Sequence, residues 1–191
     1  SWILDVVSFK NNTSAERFCS TKFSSSNRVI FDRIEAGTYI IAAAITNGKI
    51  KITNIDPKII NTELNLLSKM KIKIKKRKNF VLIKGLKKIK NIKVETKPYP
   101  GFPTDLQAQL MVLMTKAEGI SQIKENIFEN RFMHVSELRR MGANIEIQGN
   151  KAKIFGGSKL YGAELMATDL RASVSLVLAG LAVKEKTIIN R

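Results

Sequence analysis

Three side chains stand out for what they could do chemically: Asp105, Arg131 and Arg171. Asp105 follows the run PYPGFP at 98–103, a Pro/Gly loop that fixes the chain and exposes the start of the next helix. A carboxylate at that position can act as a general base. An acid in the first turn also favours the helix by itself, so residue type leaves both readings open. Arg131 and Arg171 fall near helix starts, where the dipole already favours anions and disfavours a cation. Either the two arginines frame a site for an anionic ligand, or each pairs with a nearby acid, Glu129 or Asp169. His134, the one histidine, lies mid-helix in RFMHVSEL and reads as a packed histidine, with no second histidine to make a metal site. Cys19 reads as an inert thiol. The sequence has no glycine-rich phosphate loop, nucleophile elbow or C-x-x-C pair, and it implies no metal or redox cofactor.

The elements that must position these residues come in a repeat. DRIEAGTYIIAAAITNGKIKI from Asp32, TDLQAQLMVLMTKAEGISQI from Thr104 and TDLRASVSLVLAGLAVKEKTII from Thr168 share one pattern. Each has an Asp near its start, about a dozen apolar or small residues, a short break and a β-branched strand. The first two units continue alike. Helix 36–46 and strand 49–55 lead into Asp56-Pro57, which reads as an N-cap with proline at the first helical position for a helix to Met70. Helix 105–117 and strand 120–123 lead into a helix over 129–141 that ends before Gly142, then strands 143–148 and 151–155. Asp32-x-x-Glu35 and Thr104-x-x-Gln107 read as capping boxes. The third unit supplies its helix and strand and breaks off at Arg191, which suggests a piece of a longer protein. Its missing strands would leave Val174, Leu178 and Leu181 uncovered.

The first helix of each unit is apolar almost all round, so it must be enclosed by protein. The expected fold class is therefore α/β, with three helices inside and sheets outside: an inside-out barrel of helix-strand-helix-strand-strand units whose third unit is truncated. Residues 1–31, with SSSN at 24–27, fit none of the repeat and read as a lead-in or the remnant of a preceding domain. The repeat domain is 32–191.

Composition narrows the class further. With 191 residues, 44% of them hydrophobic, the chain can bury one sizeable core. No apolar run reaches membrane-spanning length, and the start lacks the pattern of a signal peptide, so the expected setting is cytoplasmic and without a membrane partner. The formal charge of +17 invites a nucleic-acid reading. However, residues 69–97 alone hold 13 Lys or Arg against one acid, Glu95, and KIKIK at 71–75 alternates as a half-buried strand does. A solvated sheet edge accounts for this, with FVLI at 80–83 and IKNIKV at 89–94 as further strands, and no specific nucleic-acid partner is expected.

FDRIEAGTYIIAAAI, PYPGFPTDLQAQ, IFENRFMHVSELRRMGA and ATDLRASVSLVLAG together resemble the UDP-N-acetylglucosamine 1-carboxyvinyltransferase family over about residues 30–191. The resemblance implies a two-domain enzyme in which each domain is an inside-out barrel of three repeats. It implies transfer of the enolpyruvyl group of phosphoenolpyruvate to the 3-hydroxyl of UDP-GlcNAc, the first committed step of peptidoglycan synthesis, with release of phosphate. By matching motifs, Asp105 resembles the family's proposed base at the sugar hydroxyl and Ile127 a residue lining the UDP-GlcNAc site. Arg131 and Arg171 resemble the pair facing the phosphoenolpyruvate carboxylate, and Asp32 and Asp169 match positioning acids at the cleft between domains. Phe31 stands where the family has proline. The second domain, with the family's catalytic cysteine loop, has no counterpart in these residues, so the chain is expected to be a fragment that is inactive alone and completed by that domain. Two other readings remain: the shikimate-pathway enolpyruvyl transferase, and a basic nucleic-acid-binding module of related fold.

Overall fold

Two helices without a polar face set the layout. The computed structural model describes residues 31–167 and 170–190, without the side chains of Arg171 and Ala172. Cys19, Asp169 and nearly all of the lead-in lie outside the described residues. Helix α1 (Arg33–Ile45) opens under Asp32, whose Oδ1 accepts from the backbone N–H of Ile34 at 2.7 Å and of Glu35 at 3.3 Å. From Ile40 to Ile45 every residue is buried. Helix α3 (Gln107–Thr115) is buried at all nine positions, and α5 (Leu170–Leu181) packs against both α1 and α3. Helices α1 and α3 run in the same direction. Near their starts, Gly37 leaves the space that Leu106 fills: a Cβ on Gly37 would lie 2.3 Å from Leu106 Cδ1. At their other ends, Lys116 Nζ donates to the Ile45 carbonyl at 2.8 Å.

Around these helices lie two sheets of the same design. In the first, β1 (Lys49–Thr53), β2 (Lys73–Arg77) and β3 (Phe80–Lys84) are antiparallel in the order β1-β3-β2. In the second, β7 (Ile120–Lys124), β8 (Asn144–Gln148) and β9 (Lys151–Phe155) take the order β7-β9-β8, with β5 (Lys93–Glu95) added parallel to β7. Each of the three strands begins 71 residues after its counterpart. Helix α2 (Asn61–Lys69) covers the first unit and α4 (Val135–Arg140) the second. Two short parallel pairs complete the described fold: β4 (Ile89–Lys90) with β6 (Ala117–Glu118), and β10 (Glu164–Met166) with β11 (Ile188–Asn190). The inward side chains form one core that runs from Ile40 and Ile83 through Leu110 and Met114 to Ile154 and Leu176. Among the described residues, no helix is long and apolar enough to cross a membrane.

Several boundaries differ from the sequence expectation for local reasons. Asp56 Oδ1 accepts from Lys58 N at 3.0 Å and the Asp56 carbonyl from Ile59 N, so Asp56-Pro57 opens a tight turn and α2 begins only at Asn61. The segment expected as a helix over 129–141 winds as turns up to His134, and α4 spans six residues. IKNIKV is two strands in two different sheets, with Asn91 between them donating to the Ile120 carbonyl at 2.8 Å. In α5, Leu178 is buried at 3% exposure against the neighbouring helices, although Leu181 is 57% exposed.

The outer face of the first sheet carries the basic excess. Lys49, Lys84 and Lys73 stand in one cross-strand row, and Lys51, Leu82 and Lys75 in the next. Arg77 shares the third row with Thr53 and Phe80, and Lys51 Nζ lies 4.6 Å from the Phe80 ring centroid. Like charges directly opposite one another repel across strands. Raising sodium chloride from about 0.02 M to about 0.3 M should therefore screen the face and move the urea unfolding midpoint of the chain upward. A midpoint that falls with salt would show that attractive pairs dominate instead.

Candidate functional site

The loop from Lys97 to Pro103 delivers Asp105 to the rim where α1 and α3 begin. Lys97 N donates to the Phe102 carbonyl at 2.9 Å and Gly101 N to the Pro98 carbonyl at 2.7 Å, which closes the loop on itself. The first unit then grips it from outside. Arg33, in the first turn of α1, donates from Nη2 to the Gly101 carbonyl at 2.6 Å and lies 5.1 Å from the Tyr99 ring centroid. Its Nε donates to Glu63 Oε1 at 2.6 Å, and Thr62 Oγ1 donates to the Pro100 carbonyl at 2.5 Å. Glu63 is 2% exposed. Burial pushes its carboxyl above the ordinary range, against the opposing pull of its own backbone hydrogen bond and of Arg33.

Beyond the loop, Thr104–Leu106 form one 3₁₀ turn ahead of α3. The expected capping box is absent here: the Thr104 hydroxyl turns sideways and donates to Glu125 Oε2 at 2.9 Å. The 3₁₀ turn already uses the N–H groups that a capping hydroxyl would serve: Leu106 N donates to the Pro103 carbonyl and Gln107 N to the Thr104 carbonyl. Asp105 sits on this turn with 36% of its side chain exposed, and its Oδ1 is 3.5 Å from Arg131 Nη1. Arg131 therefore meets Asp105 rather than Glu129, across 26 residues of sequence. Its guanidinium also lies 4.3 Å from the Phe128 ring centroid. Arg131 stands in a turn, four residues ahead of α4 and not in its first turn as expected.

Ile127 is on the same loop, and its backbone N–H donates to Glu125 Oε1 at 2.9 Å. Glu125 ends the strand side of this loop, buried at 2% exposure, and sequence reasoning passed over it. The only signal was an acid directly after the apolar strand β7, where exposure is the default for an acid. Arg33, Glu63 and Thr62 were missed for the same reason, since their partners lie 30 to 68 residues away. Asp32 caps α1, which runs parallel to α3, so Asp32 and Asp105 lie at the same end of the pair. Arg171 is in the first turn of α5. His134 is buried at 3% exposure, as a packed histidine is.

Known proteins resemble this chain in sequence and in fold. Residues 19–191 match the family described as EPSP synthase (3-phosphoshikimate 1-carboxyvinyltransferase). A UDP-N-acetylglucosamine 1-carboxyvinyltransferase of Pelagibacter ubique is 68% identical over 163 residues, 85% of this chain and 39% of that protein. The enzyme of the same name from Geotalea daltonii is 54% identical over 166 residues, 87% of this chain and 40% of its own. The chain thus spans about two fifths of the length of these curated relatives. Among solved structures, the enolpyruvyl transferase NikO from Streptomyces tendae superposes with a TM-score of 0.79 at 29% identity, over 85% of this chain and 39% of that one. The EPSP synthase from Acinetobacter baumannii has a TM-score of 0.66 at 20% identity over 85% of this chain and 41% of its own, a likeness of fold.

The Arg33–Glu63 clasp makes two measurable statements. Arg33→Ala strands a buried carboxylate and frees the loop, and should cost about 3 kcal/mol of unfolding free energy at high pH. The cost should shrink in mild acid, where Glu63 can take up a proton. In the parent chain the folded state holds the Glu63 proton to a higher pH than the unfolded state does. Stability from this group is therefore full below the ordinary carboxylate value and is lost as pH rises through the raised one. Glu63→Gln should flatten that decline in chemical denaturation across the same pH range; an unchanged slope would assign it to other groups.

Proposed function

The chain belongs to the EPSP synthase family, and from that membership we propose that it is most of one catalytic domain of an enzyme that transfers the enolpyruvyl group of phosphoenolpyruvate to the 3-hydroxyl of UDP-GlcNAc. The geometric observation carrying the reading is the approach of Asp105 and Arg131 to 3.5 Å at the rim of the enclosed helices. Its substrate half is supported by the 68% identity to the Pelagibacter ubique protein of that name. In the proposed reaction Asp105 takes the proton of the sugar hydroxyl as its oxygen bonds to C2 of phosphoenolpyruvate. In the same step C3 takes up a proton from the acid on the second domain; C3 then gives up a proton as phosphate leaves C2, and the double bond re-forms as that of an enol ether. Arg131 and Arg171 hold the carboxylate of phosphoenolpyruvate, Ile127 lines the sugar-nucleotide site, and Asp32 and Asp169 position the groups around them.

Domain division follows the same reading. Residues 32–191 form the repeat domain and 1–31 the lead-in, with the second domain supplied by the rest of the protein. Closing two domains over the substrates would exclude water and align the reacting atoms. The partners are then the two small substrates and that second domain, with no membrane and no specific nucleic acid. The setting is cytoplasmic, at the first committed step of peptidoglycan synthesis.

In this reading Asp105 and Arg131 neutralise one another until substrates separate them. A phosphoenolpyruvate carboxylate would take over the arginine, and the sugar hydroxyl would take the carboxylate. Because both side chains are partly exposed, the pair is weak and its rearrangement inexpensive. In the full-length protein, Asp105→Ala should lower kcat by about 10²–10⁴, as loss of a general base does. Phosphate release from phosphoenolpyruvate with UDP-GlcNAc as acceptor checks it. Undiminished turnover in the variant would remove Asp105 from the base role, and release with shikimate 3-phosphate instead would move the chain to the other transferase.

A further inference from the structure

Glu125 is built into the site in a way the roles above do not explain. Its Oε1 accepts from Thr96 Oγ1 at 2.8 Å, from Ile127 N at 2.9 Å and from Phe128 N at 3.3 Å, while Oε2 accepts from Thr104 Oγ1 at 2.9 Å. Its backbone is clamped as well. Glu125 N donates to the Asn150 carbonyl at 2.8 Å, and Asn150 Nδ2 donates to the Glu125 carbonyl at 3.0 Å, from the turn between β8 and β9. Thr96 completes the knot by accepting from Asn126 N at 2.9 Å. One buried carboxylate thus joins the end of β5, the turn bearing Asp105 and the loop bearing Ile127 and Arg131.

A packing role alone does not call for this chemistry. An apolar side chain of similar volume fills a buried space without the cost of desolvating a carboxylate. What an apolar side chain cannot do is fix the orientation of several donors around one point, and charge-assisted hydrogen bonds do this well. Thr104 shows the consequence, since its hydroxyl is drawn out of the capping position toward Glu125. Asp105, next to it, lies on a 3₁₀ turn ahead of α3 rather than in a regular first turn of that helix.

We propose that Glu125 is a positioning residue that locks the turn carrying Asp105 against the loop carrying Arg131, so that base and arginine meet the substrates in one fixed geometry. The proposal rests on the catalytic reading of Asp105 given above. Its two arms are separable. Oε2 acts on Asp105 through Thr104, and Oε1 acts on Ile127 and Arg131 through the backbone of the loop.

Thr104→Val cuts the first arm and spares the second, with Thr104→Ser as the variant that keeps the hydroxyl. In the full-length protein, Thr104→Val should lower kcat about ten- to a hundredfold, since a small misplacement of a reacting group costs that much, with both KM values within about twofold. Thr104→Ser should restore most of the rate. Combined with Asp105→Ala, Thr104→Val should cost nothing more, because its effect passes through Asp105. An undiminished kcat in Thr104→Val would overturn the proposal, as would an equal loss in both backgrounds accompanied by a lower melting temperature. Crystal structures of Thr104→Val and of Glu125→Gln test the lock without turnover. An Asp105–Arg131 separation grown by about 1 Å or more supports it, and an unchanged 3.5 Å overturns it. If the parent enzyme transfers nothing to UDP-GlcNAc, the catalytic reading fails, and these structures still decide whether Glu125 sets the geometry.

Discussion

A helix buried at every position cannot be half of an ordinary two-layer packing, and that constraint organises the molecule. Gln107–Thr115 present no face to water, so α3 has to be covered on all sides by other elements. The neighbours that cover it are α1, α5 and the strands of the second sheet. Five-residue strands and short amphipathic helices are enough for this, because the enclosed helices are themselves short. Repetition is the economical way to encode such a wall. The same three-strand order recurs at a constant offset of 71 residues, and each sheet presents its Ile, Val and Ala positions inward. The basic outer face follows from the same alternation: positions that face away from the helices need only be soluble.

Enclosure leaves the helix ends as the places where backbone polar groups and charged side chains can reach solvent and ligands. Asp32 and the turn of Asp105 lie at the same end of parallel helices, and the acids there complement the exposed backbone N–H groups. The loops around this rim are not left to their own conformational preferences. Arg33, Glu63 and Thr62 hold 99–101 from the first unit, and Glu125 holds Thr104 and Ile127 from the second. One clamp is a buried acid shared among donors from several segments, Glu125, and the other a buried acid joined to Arg33 across 30 residues, Glu63.

Element by element, legibility followed the range of the interaction responsible. Strands β1, β8 and β9 were readable because apolar and polar positions alternate along them, and β3 because FVLI is a short apolar run. The cap at Asp32 was readable because its partners are two and three residues away. Thr104 had the same local signature and departs from it, since the N–H groups it would cap pair within the 3₁₀ turn and its hydroxyl reaches Glu125, 21 residues on. Asp56-Pro57 has the right residues for a helix start, yet the turn to Ile59 satisfies Asp56 first. Leu178 is buried without the strands that a complete third unit would add, on a helix packed against α1 and α3.

What the sequence determined by itself was the repeat, the inside-out arrangement and the cap at Asp32, because these depend on periodicity and on partners within a few residues. Which charges meet was decided only by the tertiary structure. Arg131 could be read as facing an anion or as paired with Glu129, and it meets Asp105. Glu125 and Glu63 could be read as surface acids, and both are buried, Glu125 among several donors and Glu63 against Arg33. The reason is physical: a carboxylate's environment is set by the donors that surround it in space, and those donors come from segments whose approach is fixed only when the apolar helices are enclosed.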